Sequence, residues 1–595
     1  MPQAVEPQHA AHIGGAVMRL LDEIFPLVEG FYVDLHRNPE LSHQEHRTAR
    51  SVAEWLSRAG YEVTAGIGGT GVVGVLRNGP GPTVLLRAAM DALPVAERTS
   101  LPYASTARGV DADGDEVPVM HACAHDAHTA CLVGTADLLA SAREQWSGTL
   151  LVVAQPGEET LDGAAGMLAE RLYPRFGRPD VALAQHIGSA PAGLIQHRAG
   201  TILGTSARLK IRVFGSGGPS TRPHTTVDPV MTAASIVTRL QTVVAREIDP
   251  KDAAMVNVGV MRAGARVGAV PDEAYLEIDT RTLTERAAAK LHTAIERVVH
   301  AESQASGAPR APEIVRDQRA RVTDNNPDQT AVVAAAHRAF FGDDYVLDLP
   351  DPIIGSEDFP EFGLPDDPDP VPYVYWFIGG TPHETWNEAP GETPYEKLAA
   401  VPEAHAPDFA PDREPTLRAG LAAMTMGALA YLGRADAAGD SAPDMARTGE
   451  RPPPVEAAHA AFGDHVDPEP PEEPAAAAAE ETGESTHRAD MADLLADHPE
   501  ETGESTHRAD MANLLADAPE ETGESTHAAD MAELLDPPSP ARGPTRGTAT
   551  GPSESLAGAE PPSGPAYPAP PPQGPPVAAP PPTSDDTDDE PPHRL

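Results

Sequence analysis

The stretch MHACAHDAHTA at residues 120–130 concentrates groups able to do chemistry. Cys123 and His125 are spaced to point the same way from an extended turn, and a soft thiolate beside an imidazole suits zinc, manganese or another transition metal. Taken alone, the stretch also reads as satisfied histidines beside a buried cysteine. Glu158 and Glu159 close the otherwise apolar run GTLLVVAQPGEE. Two adjacent acids at a sheet edge are ordinarily just solvated. Beside a metal they can divide the labour, one binding the ion and the other taking a proton from water that the ion makes acidic. His186 follows an apolar run in the same way and His405 sits in EAHAPDF; each alone is more often incidental than a ligand.

Elements must hold these groups in place. GVVGVLR, TVLLRAAMD, GTLLVVAQP and DVALAQHIG are short, apolar, β-branched runs separated by helical stretches such as HTACLVGTADLLASA. That alternation is the α/β pattern of a largely parallel sheet buried on both faces. Ligands in such sheets gather at the carboxyl ends of the strands, where MDALP, QPGEE and QHIG fall. Residues 16–60 read as helices, interrupted at Asn38-Pro39. Between about 200 and 305 the texture changes. ARLKIRVFGSG, MVNVGVMRAG and AYLEIDTRT alternate with period two among two helical segments, which suggests an inserted α+β domain. YVYWFIGG then supplies another buried strand and PTLRAGLAAMTMGALAYLG a final helix. The expected organisation is a catalytic domain in two parts, 1–200 and 309–435, around an inserted domain at 201–308, followed by a tail at 436–595.

Composition sets the tail apart. Residues 436–595 hold 34 acidic residues against seven arginines and no lysine, with Phe462 and Tyr567 as the aromatics and long proline runs. Such a segment buries too little apolar surface to offset the entropy of ordering, so disorder is expected. It carries three copies of a 20-residue repeat over 481–540, beginning at Glu481, Glu501 and Glu521. Each copy places Met and two Leu on one helical face, as in Met491, Leu494 and Leu495, so each could dock as a short helix in a partner's groove. The net charge of −47 argues against nucleic acid and against anionic membrane surfaces. No leader pattern and no apolar run of membrane-spanning length stand out, and Cys123 and Cys131 offer no disulfide framework. A soluble, cytoplasmic protein is the expectation.

MDALP at 90–94, MHACAHDAHTA at 120–130, QPGEE at 155–159, QHIG at 185–188, GSEDF at 355–359 and HAPDF at 405–409 occur in one particular order. In that order they resemble the metal-dependent amidohydrolases that include hippurate hydrolase, bacterial N-acyl amino acid amidohydrolases and plant auxin-conjugate hydrolases, within the wider aminoacylase and di-metal carboxypeptidase family. The likeness covers roughly residues 30–435. It implies Cys123, His125, Glu159, His186 and His405 as ligands of two divalent ions (manganese, zinc or cobalt), with Glu158 as the base that activates water and then protonates the leaving amine. Asp91 would orient a ligand and raise its basicity. The inserted region would be a lid that also forms a homodimer, and the substrate an N-acyl amino acid or small peptide. Arg281, in DTRT, is a candidate for gripping a substrate carboxylate, or an ordinary strand-end arginine.

The lid departs from the family pattern. Where the family presents a glycine-rich turn with a histidine, this chain reads GSGGPSTRPH, and Pro219 has neither a side-chain donor nor an N–H. His224 could substitute only if the loop is rearranged. The family's asparagine in N-V-I-P-D corresponds to Gly268 in GAVPD. Ala89 and Ala124 are milder changes beside intact ligands. The alternatives to a working hydrolase are a metal-binding pseudoenzyme and a protein that acts chiefly through its tail repeats.

Overall fold

The computed structural model describes residues 4–434; the tail at 436–595 and its repeats lie outside the described residues. The N-terminal helices run Pro7–Met18, Leu21–Arg37 and His46–Arg58, so helix begins nine residues before the expected position 16. The main sheet has eight strands in the order Glu62–Ile67, Gly71–Asn78, Gly148–Gln155, Thr83–Ala89, Val181–Pro191, Tyr373–Thr381, Ile195–His197 and Val346–Asp348.

This sheet is mixed, which corrects the largely parallel expectation. Four of its seven pairings are parallel: Thr83–Ala89 with Gly148–Gln155 and with Val181–Pro191, Val181–Pro191 with Tyr373–Thr381, and Ile195–His197 with Val346–Asp348. The other three are antiparallel. A run of buried apolar residues looks the same in either direction, so the periodicity could not distinguish them. The turn did carry a signal: Gly68 and Gly69 take positive φ, 66° and 100°, and reverse the chain between the first two strands. The four central strands do run the same way, so their carboxyl ends open on one edge.

Helices His125–Ser141 and Arg413–Leu432 back the sheet. The second is buried almost from end to end, as its apolar composition all round requires. At Gly420 a β-carbon would lie 2.7 Å from the Cys131 sulfur, so only glycine allows the two helices this approach.

The inserted region forms a four-stranded antiparallel sheet in the order Ala254–Ala263, Glu273–Thr282, Thr205–Phe214 and Glu313–Ala320. Leu209, Ile211 and Val213 point with Leu276 and Ile278 into a core closed by helices Pro229–Glu247 and Glu285–Ala305. The strand Glu313–Ala320 lies beyond residue 308, where the sequence pattern ends the insertion. It is an edge strand, mostly exposed and rich in Arg, Asp and Gln, and it lacks the period-two apolar signal. Gly200–Leu203 pairs with Thr323–Asn325 where the chain enters and leaves this layer. Among the described residues no helix is long and apolar enough to cross a membrane.

Candidate metal centre

The expected ligands arrive from separate elements at the carboxyl edge of the sheet. The Cys123–His125 pair does not sit on an extended turn. Ala124 is left-handed, with φ 57° and ψ 26°, and His125 is the first residue of the long helix that follows. That reversal sets Cys123 and His125 on one side, where Cys123 Sγ lies 3.3 Å from His186 Nε2. His186 is within the strand Val181–Pro191 rather than after it. His405, on a loop with φ 75°, is fixed by its backbone N–H, which donates to Ala122 O at 2.8 Å. Its Nε2 is 3.5 Å from Glu159 Oε2, and His125 Nε2 is 3.5 Å from Glu158 Oε2.

Four overlapping sets among the described residues have ligand atoms within 4.8 Å of one another: Cys123, His125 and His186; Cys123, Glu159 and His405; His125, Glu158 and Glu159; and Glu158, Glu357 and Asp358. All five expected ligands and Glu158 are therefore brought together. Asp91, buried just past its strand, organises them. Its Oδ1 is 3.2 Å from His125 Nδ1, and its Oδ2 accepts from the Glu159 backbone N–H at 2.9 Å and from Ser42 Oγ at 2.7 Å. With Nδ1 thus engaged, His125 Nε2 is turned toward the acids.

The electrostatics call for cations. Asp91, Glu158, Glu159, Glu357 and Asp358 gather in one region, where Arg87 pairs with Glu357 and Asp358. Burial pushes Cys123 well up, and the surrounding carboxylates add to it. Glu158 is raised well above the usual carboxylate range by burial, then by Glu357 and Glu159; burial lifts Glu159 to about 7. His125 is at about 9 despite its burial, because Asp91 stabilises its charged form. His186, largely desolvated and facing His125, is lowered to about 3, so its ring is neutral. Glu159 Oε1 is buried without a hydrogen-bond partner. A soft sulfur, three imidazoles and carboxylates with an unpaired buried oxygen fit divalent transition metals.

Sequence reasoning missed the layer beneath. Arg87, 2% exposed, donates from both terminal nitrogens to Glu357, at 2.7 and 3.1 Å, and from Nη2 to Asp358 at 3.2 Å. Gln155 bonds both Arg87 Nε and Asp358, and Tyr375 Oη donates to Glu357 at 3.1 Å. An arginine inside the apolar run TVLLRAAM was the available signal. His128 Nε2 accepts the Ile187 N–H at 2.8 Å and so secures the strand beside His186.

The lid residues divide. Arg281 is half-buried on the strand Glu273–Thr282, and its charge lowers the His405 pKa after burial and His125. Its Nε binds Asp279 Oδ2 at 3.0 Å. Pro219 and Gly268 belong to a small ribbon in which Gly218–Pro219 pairs with Ala269–Val270, and His224 is exposed on the turn Pro223–Thr225. None of these three makes a hydrogen bond or ion pair to the cluster. Thr205 pairs with Thr282 at the end of the lid sheet near Arg281, whereas the ribbon extends from the other end, beyond Phe214 and Glu273. At ~3.3 Å per residue that is roughly 30 Å away along the strands.

Residues 85–404 match the profile of peptidase family M20/M25/M40. Thermostable carboxypeptidase 2 of Saccharolobus solfataricus is 34% identical over 350 residues, 58% of this chain and 84% of that protein. Hippurate hydrolase of Campylobacter jejuni is 34% identical over 349 residues, 58% of this chain and 87% of that protein. Among solved structures, the Bacillus subtilis YXEP protein, described as a dinuclear metal-binding peptidase of the M20 family, shares the fold with a TM-score of 0.52 and 24% identity, over 69% of this chain and 99% of that one. With a profile that spans more than half of its length, this chain belongs to peptidase family M20/M25/M40 and is a metal-dependent hydrolase of amide bonds.

Proposed function

We propose that the chain hydrolyses the amide of N-acyl amino acids or small peptides with two divalent ions, manganese, zinc or cobalt, held by Cys123, His125, Glu159, His186 and His405. The observation that carries this reading is the donor set itself: Cys123, His125 and Glu159 are each shared between overlapping groups of ligand atoms, with Glu158 beside them. When bound, the ions supply Lewis acidity that polarises the amide carbonyl and makes water acidic near neutral pH. Glu158 takes the proton released as water attacks the carbonyl carbon, then delivers it to the amine nitrogen as the C–N bond breaks. Asp91 keeps the His125 ring and the Glu159 backbone in register. Arg281, steadied at Nε by Asp279, offers its terminal nitrogens to the substrate carboxylate. The names of the two relatives, a carboxypeptidase and a hippurate hydrolase, support this substrate class.

The test is release of amino acid from a panel of N-acyl amino acids and dipeptides by metal-loaded protein. Glu158→Gln should lower kcat by about 10²–10⁴ with bound metal unchanged by elemental analysis. No release from any substrate by the wild type would sink the substrate reading.

A second reading concerns the tail and rests on the 20-residue repeats. Three equivalent segments would raise the effective concentration at a partner with several equivalent grooves. Capture of partners by residues 481–540 should be lost when Met491, Met511 and Met531 become Asp, and equal recovery would end it.

A further inference from the structure

We propose that His43 is a positioning residue for the metal centre: through Asp162 and Gly157 it fixes the loop that carries Glu158 and Glu159. The proposal rests on the two-metal reading above. His43 Nε2 is 2.8 Å from Asp162 Oδ1, and Thr160 Oγ1 donates to the same oxygen at 2.6 Å. Asp162 stands at the N-cap of helix Gly163–Ala169, where an aspartate ordinarily accepts a bond from a helix N–H. It makes none. Asp358 takes the Ala164 N–H instead, at 2.9 Å, which leaves the Asp162 carboxylate to His43 and Thr160.

Two backbone conformations serve the same contact. His43 is left-handed at φ 63°, a region that disfavours residues with a β-carbon. Gly157 is left-handed at φ 57°, and a β-carbon there would fall 2.5 Å from His43 Cε1, so the ring lies where only glycine leaves room. The segment around His43 holds the rest of the loop as well. Glu45 Oε1 accepts both the His43 and Gly157 N–H groups, at 2.8 and 2.9 Å. Ser42 donates to the Asp91 oxygen that accepts the Glu159 N–H. One stretch of four residues thus ties down the loop before, at and after the two acids. The His43 and Asp162 side chains are 42% and 63% exposed, so their pairing adds little to global stability and its effect falls on placement.

The experiment titrates Zn²⁺ alone into the full-length, metal-stripped chain by calorimetry. His43→Phe keeps a ring over Gly157 without the bond, His43→Gln keeps a donor, and Asp162→Asn weakens the acceptor. His43→Phe and Asp162→Asn should each weaken Zn²⁺ binding about ten-fold. The double variant should be no weaker than the worse single, as for residues acting as a unit, His43→Gln should recover most of the affinity, and the metal-free thermal midpoint should not move. Unchanged affinity in either single variant, losses that multiply in the double, or a metal-free midpoint that falls in step with affinity would overturn the proposal. A wild type that binds Zn²⁺ yet releases no amino acid from the substrate panel overturns the hydrolase reading alone, and the titration still decides on His43. A wild type that binds none of Zn²⁺, Mn²⁺ and Co²⁺ overturns both.

Discussion

Pro219 stands where the resemblance places a histidine that would donate to the developing oxyanion. Its position in the lid ribbon, paired with Ala269, offers no N–H and no side-chain donor. Pro219→His introduces an imidazole where the resemblance places one, on an exposed ribbon that tolerates the change. One donor aimed at a developing oxyanion is worth about 10²–10³ in turnover. The variant should therefore raise kcat on the best substrate by a factor of that order, read from steady-state kinetics; an unchanged kcat removes the ribbon from catalysis. The candidate ligands were legible as a converging set from residue types and motif order, because Cys123 and His125 are near neighbours and each remaining candidate lies in a recognisable motif. The pairing of Arg87 with Glu357 and Asp358 was not, although GSEDF stood among the motifs. They meet across 270 positions of sequence, and only the sheet's closure brings them under Glu158. His43 was equally hidden, since a half-exposed histidine on a loop has no pattern of its own.

The elements show why the ligand geometry is sensitive to single backbone positions. Helix His125–Ser141 starts from Ala124 in the left-handed region, a conformation that costs alanine about 1–2 kcal/mol relative to a right-handed one and glycine almost nothing. Ala124→Gly should stabilise the protein by roughly 0.5–1 kcal/mol once the looser unfolded chain is counted. Ala124→Val, β-branched and buried, should destabilise it by ~2 kcal/mol or more and weaken metal binding. Denaturant melts of the metal-free protein compare the two, and equal stabilities would mean that the strain is absorbed elsewhere.

On the far side of the sheet, His197 Nε2 lies 2.9 Å from His337 Nδ1, and His337 Nε2 lies 2.8 Å from Ala423 O. That chain assigns a proton to each Nε2 and leaves both rings neutral. Burial lowers His337 to about 4 and lowers His197 well below its ordinary value, with His337 adding to the shift. Because these folded values are depressed, the unfolded chain takes up protons below its ordinary histidine value of about 6.5 while the folded protein does not. Their contribution is thus fully present above pH ~6.5 and is lost as pH falls toward 4. His197→Gln, which keeps the donor but cannot titrate, should flatten the fall in stability over that window by up to about 1.4 kcal/mol per pH unit. An identical slope in wild type and variant would refute it. Helix and strand identity was largely legible from periodicity. Strand direction and the edge strand Glu313–Ala320 were not, because an apolar run has no direction and an edge strand exposed on both faces has no alternation.

At the scale of the whole molecule, the ribbon of the inserted sheet and its Arg281 end are separated by the length of that sheet's strands, and it is the Arg281 charge that reaches His405. A residue at position 219 therefore serves a site only by a large rotation of the lid or by reaching the site of a second copy. The second route has a surface suited to it. Ala254–Ala263 is an edge strand of the lid sheet, with Met255 and Met261 36% and 45% exposed, and an unpaired edge of this kind invites pairing with another chain. If two copies join there, the ribbon's contribution depends on association. Sedimentation of the 62.4 kDa chain should then show a dimer, and Met261→Lys, which charges the edge, should shift it to monomer. Combined with Pro219→His, the same Met261→Lys change should abolish the gain in kcat while leaving metal content and the remaining turnover in place, since Glu158 and the ligands all come from one chain. A Pro219→His gain that survives in a demonstrated monomer would instead assign the ribbon to its own site, reached by rotation about the paired strands Gly200–Leu203 and Thr323–Asn325.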